Sequence, residues 1–75
     1  MKDLVELIAK ELVDNPDKVV VNEKHYDRLL VLELSVAPED IGKIIGRKGK
    51  IVKALRTFVS AIAAKDKKRV NIEIV

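Results

Sequence analysis

Gly46-Arg47-Lys48-Gly49 is the four-residue stretch that most constrains how this chain can fold. It cuts what would otherwise be one long amphipathic helix, with Ile44 and Ile45 before it and Lys50, Ile51 and Val52 after. Glycine takes positive φ freely and leaves no Cβ between main chain and ligand. A helix starting just after such a turn presents unpaired N–H groups and the positive end of its dipole. A tight turn with free donors, two cations and no acid is suited to hold an anion such as phosphate.

The charge distribution points the same way. From Ile41 to Lys65 the chain carries seven cations (Lys43, Arg47, Lys48, Lys50, Lys53, Arg56, Lys65) and no acid. The remainder holds eight cations against twelve acids, so the net charge of +3 conceals a basic third and an acidic rest. A localised positive field steers polyanions, whereas evenly spread lysines mainly confer solubility.

Around this stretch the periodicity predicts α-β-β-α-α-β. Residues 2–13 read as a helix with Leu4, Leu7, Ile8 and Leu12 on its apolar side, ended by Asp14-Asn15-Pro16. Residues 18–23 read as a strand, 24–27 as a polar turn, and 28–37 as a second, antiparallel strand with Leu30, Leu32, Leu34 and Val36 on one face. Leu29 and Val31 on its other face mark it as the central strand. Pro38-Glu39-Asp40 opens a short helix, the two acids suiting its positive end. The longest helix runs from Lys50 to about Ala64, and 69–75 alternates as a last strand with Val70, Ile72 and Ile74 inward. A right-handed two-helix crossover makes the last strand parallel to the second. The expected fold class is α+β: one domain over 1–75, a three-stranded mixed sheet with three helices packed on one face.

Several classes are disfavoured. Without cysteine there is no disulfide, thiolate metal site or cysteine nucleophile. Asp3, Glu6, Lys10 and Glu11 interrupt any leader-like apolar run, nothing approaches a membrane span, and a cytoplasmic location is expected. His25, the only histidine, lies in a polar stretch without metal or base partners at fixed spacing; no metal or other cofactor is expected. Gly42 and Gly46 lack the spacing and the Lys-Ser/Thr pair of a nucleotide-binding loop. No nucleophile–base–orienter set can be assembled, so the chain does not read as an enzyme.

Ile45-Gly46-Arg47-Lys48-Gly49-Lys50-Ile51-Val52, in this element order, resembles the core of the KH domain: an apolar residue, GxxG, then an apolar residue three positions on. The order is similar to the type II arrangement, over all 75 residues, a length similar to the small stand-alone bacterial KH proteins of the KhpA type. The resemblance implies a binder of single-stranded RNA, or less so DNA, with about four nucleotides laid across the loop. It implies a role in post-transcriptional regulation or as an RNA chaperone.

Gly46, Arg47, Lys48 and Gly49 would then clamp the phosphate backbone, main-chain N–H groups of 47–49 approaching its oxygens. Lys50, Lys53 and Lys43 would extend the charge, with Arg56 ending the basic track. Tyr26 and Phe58 are the only aromatics, so an RRM-type stacking platform is not available. Base contact falls to an aliphatic groove drawn from Ile41, Ile44, Ile45, Val52 and Leu32 or Leu34, with Leu34 read as core. Ile44 and Ile45 point about 100° apart on a helix, so one packs inward while the other lines the groove.

Leu55, Phe58, Val59 and Ile62 make the last helix apolar beyond a normal stripe, the expected surface for a partner. The resemblance implies a homodimer, or pairing with a larger Jag-type KH protein. The competing function class is a protein-interaction adaptor whose loop binds little RNA. The acid-free loop with its Arg-Lys pair favours the nucleic-acid reading.

Overall fold

The computed structural model describes every residue from Met1 to Val75. Its elements are α1 (Lys2–Leu12), β1 (Val20–Tyr26), β2 (Leu29–Ser35), α2 (Ile41–Ile45), α3 (Lys50–Ala64) and β3 (Arg69–Ile74). Single 3-10 turns at Pro16–Lys18, Pro38–Asp40 and Arg47–Gly49 join them. The sheet order is β1-β2-β3, antiparallel between β1 and β2 and parallel between β2 and β3. This is the expected α-β-β-α-α-β sandwich, the type II KH arrangement.

The core lies between the helices and the face of the sheet built from alternate strand residues. Val5, Ala9, Leu32, Leu34, Ile44, Val59 and Ile72 are each 0% exposed. Leu32 and Ile72 are cross-strand partners in β2 and β3, which stacks them in one row beneath α3. Leu34 is core, as its alternation predicts. Val31, on the opposite face, is also buried, between Lys24 and Asn71 of the flanking strands. That is what a central strand does to its outward apolar residues.

Three details differ from the sequence-based expectation. The apolar side of α1 is rotated: Val5 and Ala9 face the sheet, while Leu7 is exposed. Small residues at these positions let α1 approach β1 closely, and Ile8 and Leu12 are only partly covered. The first strand begins later and runs further, to Tyr26, leaving a two-residue hairpin at Asp27-Arg28. Lys24 and His25 join it because the main-chain ladder with β2 holds polar residues on an edge strand as readily as apolar ones, and Lys24 also pairs with Glu33 at 3.2 Å.

The third difference is Asp40, which caps no helix with its side chain. It is fully buried and accepts hydrogen bonds from the Asp14 N–H (3.2 Å), the Asn15 N–H (3.0 Å) and the Asn15 side-chain amide (3.0 Å). This carboxylate ties the end of α1 to the start of α2.

Candidate nucleic-acid interface

The loop is built by two glycines in different conformations. Gly46 ends α2 at φ 76, ψ 173, a region essentially closed to residues with a Cβ. A Cβ there would lie 2.5 Å from Ile51 Cγ1, so Gly46 is also where the first turn of α3 folds back onto the end of α2. Gly49 is left-handed at φ 74 with open space where a side chain would stand. Lys48 is left-handed too, at φ 57, which lifts its side chain to the tip of the turn.

Hydrogen bonding within the loop decides which donors are free. The Gly46 N–H donates to Gly42 O (2.9 Å) and the Gly49 N–H to Gly46 O (3.1 Å). The Lys50 N–H donates to Arg47 O. Of the four loop residues, Arg47 and Lys48 are the two whose N–H groups take no part in these bonds. The expectation that Gly49 also offers its N–H is therefore revised: the turn needs that donor to close. Arg47, Lys48, Lys50 and Lys53 are all exposed and none takes part in an ion pair.

Two other cations of the expected track are engaged elsewhere. Lys43 pairs with Asp14. That hydrogen bond raises the Lys43 pKa, outweighing partial burial, with the Asp14 and Asp40 charges adding to the rise. Its charge is thus largely answered within the chain, and it braces α2 against α1. Arg56 donates through Nε and a guanidinium NH2 to Ile72 O at 3.2 and 3.1 Å, closing the free edge of β3.

The aliphatic candidates divide sharply. Ile44 is 0% exposed and Ile45 37%, so the inward and outward partners of that adjacent pair are now assigned. Val52, Leu32 and Leu34 are buried as well. Beside the loop the accessible apolar surface consists of Ile45 and parts of Ile41 and Ile51. Ile44 and Val52 support the loop from beneath and present no surface to a ligand. The packing of α2 against α3 and α1 explains this, since their inward residues fill the space between the helices.

The expected partner surface also splits. Leu55 and Val59 are core, Ile62 is partly covered, and Phe58 is 47% exposed. Phe58 lines an apolar hollow of about 330 Å³ between α1 and α3, together with Ile8, Leu12, Ile51, Ala54, the edge of Leu55 and the stem of Lys50. Sequence reasoning passed over Ile8 and Leu12 as surface residues because they read as the inward face of α1. It passed over Asp40 because its partners lie 25 and 26 residues away, where no local spacing points to them.

No helix is long and apolar enough to cross a membrane. Among proteins of known sequence the chain has clear relatives. It is 57% identical to the RNA-binding protein KhpA of Caldanaerobacter subterraneus subsp. tengcongensis, over the full length of both chains. It is 55% identical to the RNA-binding protein KhpA of Clostridium perfringens, again over both full lengths. Against that of Aquifex aeolicus the identity is 54%, covering 99% of this chain and 94% of the other. No solved structure matches the chain. The family described as "KhpA/KhpB, KH domain" matches residues 2–74, with the Gly46–Gly49 loop in their interior, and the chain belongs to that family.

Proposed function

We propose that the chain binds single-stranded RNA, holding the phosphate backbone at Gly46–Gly49 and about four nucleotides beside it. The observation that carries this reading is the pair of partnerless N–H groups at Arg47 and Lys48. They lie between two positive-φ glycines and under side chains with no counter-ion. Two adjacent main-chain donors in a left-handed turn form a concavity for an oxyanion, and the unpaired guanidinium and ammonium add charge from the tip. Lys50 and Lys53 continue that charge along α3, while Ile45 offers an aliphatic surface to a base. The KhpA relatives carry RNA binding in their names, which agrees. Such contacts fix the strand without reading its sequence, suiting a post-transcriptional regulator or RNA chaperone acting on many transcripts.

The test is binding of short single-stranded RNA, with DNA of the same sequence alongside, by the native chain and by Arg47→Asp with Lys48→Asp. The native chain should bind with a salt slope of about −0.7 per phosphate neutralised. The double variant should lose binding while its thermal melt stays put, because both side chains are solvent-exposed at the loop tip. Unchanged RNA affinity in that variant would remove the basis of the proposal.

A second reading, pairing of this domain with another copy or a larger Jag-type KH protein, is favoured by the apolar hollow around Phe58. Pairing and RNA binding are compatible. Two linked grooves raise the affinity of a weak single one through effective concentration.

A further inference from the structure

The helix-free face of the sheet carries a second cluster of cations at the end remote from the Gly46–Gly49 loop. The hairpin Asp27-Arg28 and the turn 65–68 meet there, pinned by a hydrogen bond from the Arg69 N–H to Arg28 O at 3.0 Å. Arg28, Leu29, Lys67 and Arg69 line an open hollow of about 440 Å³. Lys67 is held left-handed at φ 55 within this turn. Asp27 and Asp66 lie in the same two turns, yet none of the chain's ion pairs includes Arg28, Lys67, Lys68 or Arg69.

Beside the cations stands the chain's only tyrosine. Register places Tyr26 opposite Leu29 and Leu29 opposite Arg69, so the three form one cross-strand row. Leu30 and Val70, one residue on, point to the helices, which puts this row on the outer face. Tyr26 is 54% and Leu29 38% exposed. The next row inward, Lys24-Val31-Asn71, is followed by one with two acids, Glu33 and Glu73, so the positive field is confined to this end. An exposed ring, an apolar neighbour and unpaired guanidinium groups together are the elements of a seat for one stacked base and its phosphates.

We propose that this row is a second contact for single-stranded RNA, taking the part of a strand that extends beyond the loop. The inference rests on the RNA reading above. Continuity supports it: the loop precedes the fifteen-residue α3 and the basic turn follows it, so the two lie about 22 Å apart along that helix. A strand clamped at one end of α3 can therefore reach the other, and the second contact becomes intramolecular. An acidic protein segment would find the cations here but would have no use for the ring.

The chain contains one tyrosine and no tryptophan, so its intrinsic fluorescence reports on Tyr26 alone. An RNA of about twelve nucleotides should quench it, and one of about four should bind without quenching. The longer RNA should also bind at least about ten-fold more tightly. Arg28→Glu with Arg69→Glu should abolish the quenching and this length advantage while leaving the affinity for the short RNA unchanged. Tyr26→Leu, which keeps a residue of similar bulk on the edge strand, should lose part of the advantage.

Absence of quenching at saturating long RNA would overturn the proposal, as would a length advantage that survives the Arg28/Arg69 reversal. Quenching by polyglutamate equal to that by RNA would assign the face to acidic proteins instead. Failure of the loop is read separately. If the short RNA does not bind the native chain, the proposed function fails. Quenching of Tyr26 in the Arg47→Asp, Lys48→Asp variant at raised RNA concentration would still establish the second contact.

Discussion

Gly46 and Gly49 look alike in the sequence but meet different demands. At Gly46 both φ/ψ and space exclude a side chain, since an added Cβ meets Ile51 at 2.5 Å. At Gly49 only the left-handed φ stands against one, with nothing within 4 Å. Gly46→Ala should therefore cost about 3 kcal/mol or more, combining strain and overpacking. Gly49→Ala should cost about 1 kcal/mol, the left-handed penalty alone. Against a total stability on the order of 5 kcal/mol for so small a domain, the first substitution approaches unfolding and the second does not. Denaturant midpoints of the two variants check this, and equal losses would refute the distinction. The motif could be read from spacing, and so could the need for glycine at each end. The inequality could not, because it depends on where Ile51 packs in three dimensions.

At the scale of elements, α3 contributes to the core, to the proposed nucleic-acid contact and to the proposed pairing face. Leu55 and Val59 face the sheet, Lys50 and Lys53 continue the basic loop, and Phe58 opens onto the hollow shared with α1. Leu55→Ala should cost about 2–5 kcal/mol, the range for a buried leucine, read from its denaturant midpoint. Phe58→Asp should leave the melt within ~0.5 kcal/mol of native, as exposed substitutions do, and shift sedimentation toward a lighter species. A Phe58→Asp protein that sediments like the native one would end the pairing proposal for this face. Helix count, order and strand alternation were all legible because they rest on periodicity. Which apolar residues of α3 are core was not, because more than one face is apolar and only the docked sheet decides. The same limit explains α1, where Val5 and Ala9 displaced Leu4 and Leu7 from the interior. Small side chains won because they allow closer packing, a preference that hydrophobicity alone does not encode.

At the scale of the whole molecule, Asp40 couples the two halves of the helical layer. Burial by itself pushes its carboxyl pKa up. The Asn15 side-chain amide, the Asp14 and Asn15 N–H groups and the Lys43 charge together outweigh that and hold it below the ordinary value. A carboxyl lowered in the folded state contributes stability above its unfolded pKa, near 4, and that contribution is lost as pH falls through the lowered folded value. The native chain should therefore melt lower in acid below about pH 4. Asp40→Asn keeps the shape but not the charge, so its deficit relative to native should be largest at neutral pH and shrink in acid. Melts of both proteins across this range decide the matter: a deficit independent of pH would mean that the second acceptor oxygen, not the charge, is what Asp40 supplies. The consequence reaches the loop. Asp40 directly precedes α2, and α2 ends at Gly46, so freeing the end of α1 loosens the support on which the proposed phosphate seat is built. RNA affinity of Asp40→Asn should fall in proportion to that loosening even at temperatures where the variant is fully folded, although Asp40 itself is buried and touches no ligand.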